Sequence, residues 1–154
     1  MDKTKIFACD CDVYIASRGA TPGTAVAHDT FPGTAWKEVG YLKQGAAKLS
    51  FDKSEIDLHT GEKKQLGITL KFDAAALETD ATKLTTLEAF IGTKNDIILK
   101  PVSSSETRVW KLLGMNVSIG MEGPLSSKDA LTFPISGQVT GAKVSDCFDE
   151  ITLT

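Results

Sequence analysis

The clearest signal in the chain is an alternation of apolar and polar residues with a period of two. Leu66, Ile68, Leu70 and Phe72 alternate with Gly67, Thr69, Lys71 and Asp73, which gives a strand one apolar and one polar face. This strand is the second arm of a stretch, residues 48–77, that reads as one long hairpin folded around Thr60-Gly61-Glu62. The first arm is less regular: Leu49 and Phe51 share one parity, Ile56 and Leu58 the other. It therefore needs a bulge near Asp52-Lys53-Ser54, or a tip that leaves the main sheet. The tip, residues 57–65, is polar and carries Lys63 and Lys64 beside Glu62. An amphipathic base with a polar end suits a hairpin that projects beyond its own fold. Such an arm offers unpaired backbone groups to a neighbouring sheet.

The rest of the pattern is mostly strand. Residues 5–15 predict a first strand through Ile6, Ala8, Val13 and Ile15, with a slip of alternation at residues 10–12. Residues 17–34 are rich in Gly, Ala, Thr and Pro, and turn at Pro22-Gly23 and Pro32-Gly33. That is a long loop, of a length usually kept for function or for ordering on assembly. Trp36 to Leu42 predicts a short strand. After the hairpin, Thr79 or Asp80 can cap a helix whose Leu84, Leu87, Phe90 and Ile91 recur at spacings of three and four, with Gly92 just beyond its end. A helix this short depends on packing its apolar stripe against a sheet. Strands are predicted again at residues 96–102, 107–123 and 131–139, and in the tail from Phe148. Pro134 has no N–H to donate, so its strand is expected to be an edge or to bulge there. Many strands with one inserted helix predict a mainly β fold in one domain, residues 1–154: a β-sandwich or partly closed barrel, one packed helix and a long projecting hairpin.

Composition narrows the function classes. With 154 residues, 42% hydrophobic and 24% charged, the chain can bury one core without metals or disulfides. A formal net charge of -3, with Lys and Arg scattered among acids, lacks the basic stripe of a dedicated nucleic-acid binder. No export signal or bilayer-spanning stretch is read, so the expected site of synthesis and residence is the cytosol, unless a particle carries the protein out. Cys9, Cys11 and Cys147 lack the second close pair and nearby histidine of a zinc site and read as reduced, partly buried residues.

Candidate chemistry is sparse. His28 and His59 sit in a loop and near a hairpin tip, away from any nucleophile motif. No glycine-rich phosphate loop is present. Asp52, Glu55 and Asp57 have the spacing of charges along a solvated strand. Trp36 and Trp110 are expected in the core or at a subunit interface. With no catalytic residues, metal or cofactor indicated, weight moves from an enzyme to a binding or structural protein.

The layout of strand, small-residue loop, Trp36-Lys37-Glu38-Val39-Gly40, polar-tipped hairpin, helix, and alternating strands with a Glu122-Gly123-Pro124 turn resembles the major tail tube proteins of long-tailed, siphovirus-like bacteriophages. The resemblance implies a virion structural protein, made in the host cytoplasm, whose homo-hexameric rings stack into a tube. The sheets of one ring would join into a barrel around a channel through which viral DNA is ejected. Tape measure, tail tip and terminator proteins would be the partners. Contacts between rings would come from Asp57, His59, Thr60, Gly61, Glu62, Lys63, Lys64 and Gln65 of the hairpin, with Pro22 and Pro32 of the loop. Asp52, Glu55, Asp57 and Asp73 are candidates for the channel wall, and Leu84, Leu87, Phe90 and Ile91 would hold the helix on the barrel. Rival expectations are a head–tail completion or terminator ring, a type VI secretion tube, and a monomeric β-sandwich module binding a ligand near Trp36 and Trp110.

Overall fold

The computed structural model describes residues 10–19, 29, 31–42, 47–78, 83–120 and 131–153. Across these residues the chain is mainly β: β1 (Cys11–Ser17), β2 (Lys37–Leu42), β3 (Ala47–Asp57), β4 (Lys63–Glu78), the short helix α1 (Lys83–Leu87), β5 (Lys94–Pro101), β6 (Arg108–Ile119), β7 (Leu131–Gly141) and β8 (Phe148–Thr152). The strands form one antiparallel sheet in the order β2-β1-β5-β6-β7-β4-β3, with β8 paired to β6. It curls until β2 meets β4 through the single pair Tyr41 and Leu77, which makes it a partly closed barrel.

Burial on two faces explains the curl. The main core joins Val13, Ile15, Ile97, Leu99 and Leu112 of one wall to Leu70, Phe72, Phe133 and Ile135 of the other. A second cluster lies on the outer side of β1, β5 and β6, where Phe31, Trp36 and Leu153 cover Ala16, Ile98 and Val109. β5 serves both clusters and is buried from Asn95 to Pro101.

β6 is shared between the walls. Its first half, Arg108 to Leu112, pairs with β8, and its second half, Asn116 to Ile119, pairs with β7. Between them Asn95 faces Met115 and Ile97 faces Leu112, so β6 holds one residue more than β5. Gly114, at φ +64, supplies the left-handed turn that such a bulge requires. The strand thus bends from the β1–β5–β8 wall into the β3–β4–β7 wall.

Three expectations are corrected. The described part of the first strand, Cys11–Ser17, runs two residues past the expected end at Ile15, and residues 5–9 of the expected strand lie outside the described residues. β7 is an interior strand between β6 and β4, and its register with β4 runs unbroken past Pro134. Pro134 is tolerated because its backbone faces β6 at the end of the described ladder: its carbonyl accepts from Gly120 N at 2.9 Å, and only the reciprocal bond from its own nitrogen to Gly120 is lost. The helical stripe is shorter than expected. Leu87 is buried and Leu84 and Phe90 pack against the core, but Ile91 is 41% exposed. After Leu87 the helix tightens into a 3-10 turn, Glu88–Phe90, and Ile91 is already extended, so its side chain leaves the stripe. Gly92 does take the left-handed conformation, at φ +79. Asn95 closes this end by donating from Nδ2 to the carbonyls of Phe90 at 2.7 Å and Thr93 at 3.0 Å. Thr79 and Asp80 lie outside the described residues.

Candidate functional site

The hairpin begins inside the sheet and ends outside it. β3 and β4 pair from Ala47 with Ala74 to Asp57 with Lys63, whereas β7 accompanies β4 only as far as Ile68, opposite Gly141. Beyond that point the hairpin is a two-stranded ribbon reaching roughly 20 Å past the sheet at a strand's rise per residue. A register shift marks the exit: Ser54 faces Gly67 but Glu55 faces Gln65, so the extra residue is Leu66. The parity of the first arm required a shift near Asp52-Lys53-Ser54, and the shift lies just past it, with the surplus residue on the opposite arm. Gly67 suits the exit because a Cβ there would stand 3.0 Å from the Gly141 carbonyl oxygen.

The ribbon closes in a tight turn. Leu58 N donates to Glu62 O at 2.7 Å and Gly61 N to Leu58 O at 2.9 Å, with Gly61 at φ +86. Asp57, His59, Thr60, Gly61, Glu62, Lys63 and Lys64 are all exposed, while Gln65 is placed in β4 by its backbone. Pro22 lies outside the described residues. Pro32 is buried beside Phe31, unlike the exposed residues of the hairpin tip.

The base of the hairpin presents a polar face. Residues facing one another across the ladders form rows: Lys48, Asp73, Ser136 and Ser118; Ser50, Lys71, Gln138 and Asn116; Asp52, Thr69 and Thr140. Asp52 Oδ2 stands 2.9 Å from Lys71 Nζ, and the Thr69 and Thr140 hydroxyls are 3.2 Å apart. Two open grooves of about 460 and 550 Å³ run over this face, and among the described residues no element covers it. Of the four carboxylates expected to share a wall, Asp52 and Asp73 do so. Glu55 and Asp57 sit past the register shift, on the free ribbon, and are corrected in that respect.

β3 is also an edge. Among the described residues its 11 residues pair with β4 alone, and Phe51 on it is 44% exposed. Natural folds usually shorten, cover or charge such an edge.

Neither tryptophan lines the two grooves of the polar face. Trp36 is buried in the second cluster, with Lys111 Nζ 5.6 Å from its ring centroid, and Trp110 packs edge-on to Phe148 at 5.6 Å. Beneath Trp36 lies a polar group that sequence reasoning missed. Asp96, 2% exposed, accepts from Gly114 N at 2.8 Å through Oδ1 and from Gly19 N at 3.0 Å through Oδ2, with Lys111 Nζ 3.8 Å from Oδ2. Buried Lys100 donates to the Phe31 carbonyl at 2.8 Å. These contacts fasten Gly19 and Phe31 to the outer wall. The available signal was the pair of charges flanking Ile97, Ile98 and Leu99 in an otherwise apolar run.

No protein-family model matches the chain, and no curated protein matches it. Among solved structures it is similar to one described as "Crystal structure of Hcp protein", at 12% identity over 92% of this chain and 98% of that one, with a TM-score of 0.35. A likeness that distant decides nothing about function.

Proposed function

We propose that this chain is a structural subunit whose copies join into rings that stack into a tube, the tail tube of a long-tailed bacteriophage being the form its sequence resembles. The observation that carries this reading is the hairpin. One element supplies a long unpaired edge, an uncovered polar face and a ribbon extending beyond the fold. An unpaired edge joins sheets by backbone hydrogen bonding. Under this reading β3 extends the sheet of the next copy, the polar face lines the channel, and the exposed tip around His59 to Lys64 reaches the next ring. The chain would then act as a conduit for DNA in a virion tail, without catalysis or a cofactor.

The test is negative-stain microscopy with light scattering on the untagged protein after concentration. Stacked rings or tubes of uniform diameter are expected, and deleting Glu62 to Gln65 should leave rings that do not stack. The charge reversal Lys63→Glu/Lys64→Glu keeps the turn and should also impair stacking. A protein that stays monomeric at every concentration, alone or seeded with tail tips, sinks the reading in favour of a ligand-binding module.

A further inference from the structure

The charges on the polar face are arranged in crossed pairs. Lys48 of β3 stands directly opposite Asp73 of β4, and Asp52 of β3 is 2.9 Å from Lys71 of β4. Each arm of the hairpin thus contributes one cation and one anion, and each lysine is met by a carboxylate from the other arm. Around them the face is neutral and small: Ser50, Thr69, Ser118, Ser136, Gln138 and Thr140. Among the described residues one further cation, Lys94, stands at the far side opposite Asn116.

Stability is a poor reason for these pairs. The Lys71 and Asp52 side chains are 50% and 60% exposed, and exposed pairs contribute at most about 1 kcal/mol. Their effect on the local field is larger. The charges of a pair lie well within the roughly 10 Å Debye length of dilute buffer, so an approaching polyanion meets two dipoles instead of two free cations. Free lysines bind phosphates with release of counterions, whereas neutralised ones do not.

We infer that Asp52 and Asp73 are built-in neutralisers, there to keep Lys71 and Lys48 from capturing a polyanion such as nucleic acid on this face. The purpose assigned to them rests on the channel reading above, but the chemistry can be tested without assembly. The probe is a short labelled DNA duplex titrated with the purified chain, followed by fluorescence anisotropy at low and raised salt. Asp52→Asn/Asp73→Asn is expected to bind at least about tenfold more tightly than wild type at low salt. The gain should vanish at raised salt, each uncovered lysine adding about one to the slope of log K against log salt. Adding Lys48→Met/Lys71→Met should return binding to the wild-type level. The inference is overturned if the double variant binds within about twofold of wild type, or if the gain survives removal of the two lysines. Because the titration needs no rings, a chain that never forms tubes would defeat the proposed function and leave this result standing.

Discussion

At the scale of single residues, the buried carboxylate of Asp96 carries more of the structure than any exposed charge. It satisfies the backbone N–H of Gly114 at the bend of β6 and that of Gly19 just past the end of β1. Asp96→Ala would leave two backbone donors without this acceptor and remove the carboxylate 3.8 Å from Lys111 Nζ. A loss of about 3 kcal/mol is expected, read as a lowered urea midpoint. Leu87, the buried anchor of the helix, predicts a loss of about 2–4 kcal/mol on Leu87→Ala by the same measurement. The two tyrosines predict a pH effect. Burial, with Asp12 and Glu38 nearby, pushes the Tyr14 hydroxyl up to about 12. The hydrogen bond from Tyr41 to Asp10 raises that hydroxyl as well. An unfolded tyrosine ionises near pH 10, so above that pH the folded state holds protons that the unfolded state has lost. The stability Tyr14 contributes is complete below pH 10 and disappears as the pH rises from 10 to about 12, and that of Tyr41 is lost in the same direction. Urea midpoints on either side of pH 10 should show the fall, and Tyr14→Phe should flatten it.

At the scale of elements, local pattern was informative wherever a strand has one buried and one solvated face. Ile68, Leu70 and Phe72 turn inward and Thr69, Lys71 and Asp73 outward, as their alternation requires. The same logic fails on β5, where burial on both faces erases alternation and makes Asp96 and Lys100 look like solvent charges. Their cover comes from Phe31, Trp36 and Leu153, distant in sequence, and no local period can announce it. Ile91 has the spacing of a helical stripe but lies where the helix has already unwound. Pro134 reads as an edge residue because sequence shows the missing donor but not that its loss removes a single bond, to Gly120, from an otherwise paired strand. The projecting hairpin was legible through its parity break and polar tip; the role of its edge is open to test. Phe51→Lys places a charge on that edge at an exposed position. It should reduce assembly in light scattering while shifting stability by no more than about 0.5 kcal/mol.

At the scale of the whole molecule, a ring of identical copies needs two different edges, one on each side of the subunit. The wall formed by β3, β4, β7 and the end of β6 has two. Among the described residues β3 is one, and the other is the end of β6 beyond Val117, past the last β5 pair at Lys94 and Asn116. Within one chain Ser50 and Ser118 are separated by three strand spacings, about 14 Å, too far for a disulfide. Ser50→Cys/Ser118→Cys should therefore cross-link only between copies, and oxidation of the assembled protein should give a ladder of covalent oligomers that neither single variant gives. Assembly without a ladder would move the joint to the other free strand, β8.

The bend at Gly114 bears on mechanics. Because a single strand crosses from one wall to the other, a pull on the hairpin passes through β4 and β7 into the same covalent backbone that anchors β5 and β8. The walls cannot slide past one another unless whole ladders, whose bonds share the load, give way together. The fold is therefore stiff in shear, and if its copies assemble as proposed, any bending of the filament must be taken up at the joints between them.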